Sequence, residues 1–274
     1  MTTFQDQEPT HQESPDQVSI DSTWRDRIVL TSATVRTFQM RAIALLVVLS
    51  TIGQLVIRWL GDVPGLQYLS WLLFVDSEQS FPALYSTVIL LSCGAMAAIV
   101  GWIIDDVSDR TGWRALAVVM AGAGFDEYAA AHEKAIEPMR EALAISDGIF
   151  YYAWIIPGLA AVVLLAVVFS GFLRRLPTDT RNRFVTAGVV FVVGAIGFEA
   201  IAAGYVTGWM EDVGIGLSPG ADPDAARTNL TYLLFTTIEE SLEMIGAAIL
   251  LTAIVSHMET HLGRRLTGAL LPLK

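Results

Sequence analysis

An all-helical bundle of six membrane-crossing segments is the architecture this chain predicts. Hydrophobic residues make up 53% of its 274 positions and mean hydropathy is positive, too apolar a balance for an ordinary soluble domain of this size. Six separate stretches approach the roughly 20 apolar residues needed to cross a hydrocarbon layer about 30 Å thick. The connections between them alternate between arginine-rich and acidic, as the positive-inside rule requires of a polytopic protein.

The polar tail up to about residue 24 contains few aliphatic side chains and is expected to be disordered, because it cannot bury enough surface to fold. It lacks the short apolar core of a secretory signal. Residues 25–274 are then one transmembrane domain. Its crossings are placed at Ala42–Leu60, Pro82–Ile104, Trp113–Ala131, Phe150–Leu173, Phe184–Trp209 and Leu230–His257. Between the first two, Leu66, Tyr68, Leu69, Trp71 and Phe74 precede Asp76 and Glu78, a composition suited to the headgroup layer. Tyr151, Tyr152 and Trp154 belong to the same aromatic belt. Gly214, Gly216, Pro219, Gly220 and Pro223 mark a linker before the last crossing.

Arg25, Arg27, Arg36 and Arg41 precede the first crossing, Arg110 and Arg114 bracket the second turn, and Arg174, Arg175, Arg181 and Arg183 fill the fourth connection. Arg264, Arg265 and Lys274 follow the last crossing. The alternate connections hold only Arg58, Lys134, Arg140 and Arg227. Both termini are therefore expected in the cytoplasm of a cell whose plasma membrane the chain crosses. The net charge of −11 resides largely in the tail, the last linker and the membrane acids. No like-charge run suits a nucleic acid, so the expected partners are the lipid bilayer and an ion or small-molecule ligand. A single cysteine, Cys93, excludes an intramolecular disulfide and a thiolate metal cage.

The chemistry concentrates in acids at membrane depth. Glu239, Glu240 and Glu243 share one face of the last crossing with Tyr232, Thr236 and Gly246, an arc of roughly a third of the circumference. A buried charge costs about 2.5–3.5 kcal/mol on the insertion scale, whereas each Leu, Ile, Phe or Val returns about 0.3–0.6 kcal/mol. Three ionised glutamates would cancel the gain of the whole segment, so they require partners, protons or a bound cation. Glu199 lies in the fifth crossing beside Ala195, Ala202 and Ala203, and Asp126 and Glu127 lie in the third with His132 and Glu133 at its outer end. Read as one continuous helix, Asp126 and Glu133 share a stripe about 10 Å apart, while Glu127 and His132 diverge to either side. Ser50, Gln54 and Arg58 form a polar stripe on the first crossing, with Arg58 the candidate counter-charge.

Two readings of these residues follow. As a proton or cation pathway, the set is Asp126, Glu127, Glu199, Glu239, Glu240, Glu243 and Arg58. As a metal centre it is Asp126, His132, Glu133, Glu199, Glu239 and Glu243, an oxygen-rich donor set that would take a divalent metal as cofactor. His257 and His261, spaced i+4, suit either a metal or a helix C-terminus.

The string Phe125-Asp126-Glu127-Tyr128 with His132-Glu133, then Trp154, Pro157 and Glu199, then Glu239-Glu240 with Glu243-Met244 and Gly246, resembles a family of uncharacterised prokaryotic multipass membrane proteins. Its members share an Asp-Glu, four residues, His-Glu motif and a terminal Glu-Glu-x-x-Glu-Met-x-Gly motif. The resemblance runs from about Val63 to the sixth crossing and implies no activity. The alkaline ceramidase and adiponectin-receptor superfamily of membrane zinc hydrolases fits poorly, since His132 is the only histidine near the outer acids. Nucleotide loops, nucleophile elbows and HExxH motifs are absent. Coupled transport, a membrane-embedded metalloenzyme, and a sensor or assembly subunit whose acids only pack the bundle remain the three functional classes.

Overall fold

The computed structural model describes residues 31–61, 63–214 and 229–262, and every regular element among them is helical. The tail to residue 24, Arg25, Arg27, most of the last linker with Arg227, and the cations Arg264, Arg265 and Lys274 lie outside the described residues.

The helices are α1 (Ser32–Leu60), α2 (Pro64–Leu73), α3 (Phe81–Ile103), α4 (Val107–Ala129), α5 (Ala131–Ala142), α6 (Ile155–Arg175), α7 (Thr178–Val192), α8 (Glu199–Asp212) and α9 (Leu230–His257). A π-helical turn, Val193–Phe198, joins α7 to α8, and another, Met258–Leu262, extends α9. Their starts follow local chemistry. Thr31 Oγ1, Ser80 Oγ, Asp106 Oδ1 and Asn229 Oδ1 accept backbone N–H groups from the first turns of α1, α3, α4 and α9 at 2.9–3.2 Å.

Among the described residues, five helices are long and apolar enough to cross a membrane: Ser32–Leu60, Phe81–Ile103, Ile155–Arg175, Thr178–Asp212 and Leu230–Leu262. The 23-residue α4 matches α3 in length, but Asp109, Arg110, Arg114, Asp126 and Glu127 set it apart in composition. Several ends differ from the sequence expectation. The first helix starts ten residues before Ala42, because the Thr31 cap outweighs the arginines that follow it. The Phe150 end of the fourth crossing is instead a 3₁₀ turn, Gly148–Phe150, with Ile155 opening α6. The interfacial stretch after Pro64 is helical as α2.

The central helix is α9, which packs against α1, α3, α7 and α8, while α3 and α4 form an antiparallel hairpin. Small residues set these distances, as expected where lipid leaves no hydrophobic drive between helices. A Cβ on Gly94 would lie 3.1 Å from the Ala117 carbonyl oxygen, and one on Gly246 would lie 2.8 Å from the Phe191 nitrogen. At one end of the bundle Trp113 is fully buried, edge-on to Phe172 and Phe184 and tilted against His257. Ser32 donates to Glu259 through N (2.8 Å) and Oγ (2.6 Å), Arg175 pairs with Asp109 at 2.8 Å, and Arg183 reaches Ser256 Oγ at 3.1 Å. The starts of α1, α4 and α7 and the ends of α6 and α9 therefore meet at one arginine-rich end.

Candidate functional site

At the opposite end the helices enclose a cavity of about 240 Å³. Its described lining includes nine carboxylates. Asp76 and Glu78 come from the loop before α3, Glu127 from α4, Glu133 and Glu137 from α5, Glu199 from the start of α8, and Glu239, Glu240 and Glu243 from α9. His132 and Arg140 are the basic groups in the same wall, and Tyr151, Tyr152 and Tyr232 supply aromatic surface.

Each segment is aimed by an identifiable local device. The loop carrying Asp76 and Glu78 is tied to α1, since Val75 N donates to Ser50 Oγ at 3.0 Å. Gln54 Nε2 donates to Ser70 Oγ at 3.2 Å and binds α2 to the same helix. Two members of the polar stripe on α1 thus serve to anchor this loop and α2. Arg58 is exposed near the C-terminal end of α1 and is not among the residues lining the cavity. Arg140 does line it: its guanidinium carbon sits 4.3 Å from the Tyr151 ring centre while Nη2 reaches Glu137 at 2.5 Å.

The expected third crossing is not one continuous helix. Ala130 adopts a left-handed conformation (φ 49°, ψ 44°), so α4 stops and α5 sets off in a new direction. Helical phases computed through this point do not hold. His132 turns back so that Nδ1 lies 2.7 Å from Asp126 Oδ2, and its backbone N donates to Asp126 Oδ1 at 3.1 Å. Glu127, His132 and Glu133 line the cavity, whereas Asp126 stands outside it and holds His132. Burial disfavours the His132 imidazolium, but the Asp126 hydrogen bond and charge, with Glu199 and Glu133, raise it to about 9. Glu78 is pushed up to about 8, first by burial and then by hydrogen bonding to and repulsion from Glu133.

Glu199 follows directly on the π-helical turn, the kind of local insertion often found at functional sites. One additional residue in the turn rotates everything after it by about 100°, and Glu199 is left only 9% exposed, beside cavity-lining Ala202. Gly194 within that turn lets the backbone approach α9: a Cβ there would lie 2.8 Å from the Glu239 carbonyl oxygen and 3.2 Å from Glu243 Cγ. The buried Trp154 indole N–H lies beside the Glu199 carboxyl, and its ring lies 4.8 Å from that of His132.

Sequence reasoning passed over Arg140, Glu137, Asp76 and Glu78 as site residues. One signal was present for α5, where Glu133, Ile136, Glu137 and Arg140 recur at helical spacing on one face. Among the described residues no three or more acid, histidine or cysteine side chains are grouped to hold a metal ion, so the six-residue metal set finds no support. His257 is buried against Thr180 and Trp113, with Nδ1 at 3.2 Å from Thr180 Oγ1, which is a packing role.

A family described as a domain of unknown function (DUF8692) matches residues 40–258. The chain belongs to this family. The matched stretch contains every residue lining the cavity. No curated protein and no solved structure matches the chain.

Proposed function

We propose that this chain is a six-crossing protein of the plasma membrane, cytoplasmic at both termini. Its outward-opening acidic chamber takes up protons or small cations as the first step of their coupled movement.

The observation that carries the reading is the charge imbalance in the chamber. Nine carboxylates share about 240 Å³ with two basic groups. Two like charges 4 Å apart repel by about 4 kcal/mol at an effective dielectric of 20. Among the described residues of the wall, Arg140 and His132 are the basic groups, and the acid excess around Glu199, Glu239, Glu240 and Glu243 calls for protons or for cations from outside. The lack of a grouped metal site favours protons and hydrated cations over a caged divalent ion.

Support for six crossings comes from the α3–α4 hairpin. A Cβ on Gly101 would touch Arg114, one on Gly94 would touch Ala117 and Ala121, and one on Gly124 would touch Leu91. The two helices therefore stay in contact over most of their length, and α4 traverses the same thickness as α3. Support for the orientation comes from the bundle end gathering Arg36, Arg110, Arg114, Arg174, Arg175, Arg181 and Arg183. The chamber opens at the other end. Toward the arginine-rich end it is stopped by Met244, Ala247, Leu251 and Ile254, and Cys93 Sγ contacts the Ala247 carbonyl oxygen at 3.6 Å.

The test is ion flux in proteoliposomes. A proton or monovalent-cation gradient should drive flux through the parent protein, and Glu243→Gln should abolish it while leaving the protein folded. Equal flux through both proteins would overturn the reading.

A further inference from the structure

The twelve-residue α5 differs from every other helix around the chamber. None of its residues is buried; it packs on α4 and otherwise meets its surroundings through single side chains, Glu133 at Glu78, His132 at Trp154 and Arg140 at Tyr151. Non-glycine residues in left-handed conformations bracket it, Ala130 (φ 49°) at its start and Ala144 (φ 52°) just past its end. Such conformations are costly for alanine and concentrate the bending of a chain at single residues. Beyond Ala144 the backbone is anchored again, where Gly148 N donates to Thr207 Oγ1 of α8 at 3.2 Å. The segment is thus a short helix between two bends and two fixed points. It covers the chamber with Glu133, Ile136, Glu137 and Arg140.

Arg140 is placed in a manner that an external cation could imitate. Its guanidinium lies 4.3 Å from the centre of the Tyr151 ring, and Tyr151 itself is buried. The same group bonds Glu137 on its own helix, so the stacking on Tyr151 is the contact that reaches from the far end of α5 to the chamber's fixed wall. At the near end His132 is clasped by Asp126.

From this geometry we infer that α5 is a hinged lid over the acidic chamber, latched by Arg140 on Tyr151, so that the chamber opens when this tethered cation leaves its ring. The inference rests on the chamber reading for what the lid excludes, namely protons or small cations, but its mechanics can be tested without any transport. Opening moves α5 about Ala130 and Ala144 and breaks the Arg140–Tyr151 contact, with no covalent change.

The experiment measures labelling of Ser77→Cys in the full chain, purified and reconstituted in lipid nanodiscs, by a charged maleimide. Ser77 lines the chamber and is 8% exposed, and cysteine replaces it at the cost of one atom. The native Cys93 is fully buried and serves as an internal measure of unfolding. Arg140→Gln and Tyr151→Leu, each combined with Ser77→Cys, should label about tenfold faster than Ser77→Cys alone, the factor corresponding to a lost contact of about 1.4 kcal/mol. Cys93 should stay unlabelled in all three. Arg140→Lys should fall between, because an ammonium keeps the charge and loses the planar stacking face. Equal labelling of Ser77→Cys in all backgrounds with Cys93 protected overturns the lid. Faster labelling accompanied by exposure of Cys93 overturns it as well, since the effect is then unfolding. Loss of the lid in this assay leaves the Glu243→Gln flux result standing, and loss of that flux effect leaves the labelling result standing.

Discussion

Asp126 and His132 form a contact whose strength depends on pH. The imidazolium pKa is raised to about 9 from its ordinary 6.5 because the Asp126 hydrogen bond and charge outweigh the burial that opposes it. A folded value above the unfolded one means that the contribution is complete below about 6.5 and disappears as pH climbs through about 9. Asp126 is 42% exposed, so solvent screening reduces the gain to about 1 kcal/mol. The expected outcome is that the melting temperature of the parent falls between pH 6 and pH 10 by about 2–4 °C more than that of Asp126→Asn. Thermal unfolding in detergent across that range checks it, and parallel curves would remove the clasp. Glu78 behaves differently upon substitution. Burial and Glu133 raise it from 4.5 to about 8, so the folded protein holds this proton more tightly than the unfolded chain. Its contribution is complete below about 4.5 and is lost as pH rises to about 8. Glu78→Gln, which cannot ionise, is expected to match the parent at pH 4 and to melt above it at pH 9. The same scan reads both residues.

Between helices, backbone proximity decides what can change. On α9 a Cβ at Gly246 would meet Phe191 N at 2.8 Å and the Ala187 carbonyl oxygen at 3.0 Å, atoms of α7 that cannot rotate away. Gly246→Ala should therefore separate α7 from α9 and destabilise by about 1–3 kcal/mol, the usual cost of overpacking. Gly188, on the exposed side of α7, has nothing within 4 Å of its ideal Cβ. Gly188→Ala should be neutral or stabilising by up to about 1 kcal/mol through helix propensity alone. Melting temperatures of the pair provide the comparison, and equal losses would mean that close approach is not what Gly246 supplies. The π-helical turn belongs to the same contact, because Gly194 rests on the carbonyl oxygen of Glu239. The insertion that turns Glu199 toward the chamber is thus braced by the helix carrying the other three acids.

For the whole molecule, the proposed orientation makes a prediction about access from outside the cell. Gln79, beside the chamber, and Asp179, at the arginine-rich end, are both exposed and stand at opposite ends of the bundle. In intact cells a membrane-impermeant thiol reagent should label Gln79→Cys and spare Asp179→Cys until the membrane is permeabilised. The reverse pattern would invert the topology and place the chamber in the cytoplasm. Labelling of both in sealed cells would break the six-crossing arrangement.

Helicity and the long apolar segments were legible from the chain because both follow from local composition and periodicity: 20 or so apolar residues can satisfy their backbone in lipid only as a helix. So were the acids of α9, whose side of the helix is set by a period that runs unbroken from Leu230 to His257. The segments around Ala130 and Glu199 escaped the same arithmetic. A left-handed Ala130 and a π-helical turn before Glu199 each reset the phase, and neither alanine nor the Val193–Phe198 run announces such a break. Folding in space also moved Asp126 from the chamber to its support, placed Arg140 in the chamber wall, and brought in Asp76 and Glu78 from a loop held by Ser50. These assignments depend on contacts between residues far apart in sequence, whose partners are set by close packing at glycine and alanine rather than by the composition of any one segment.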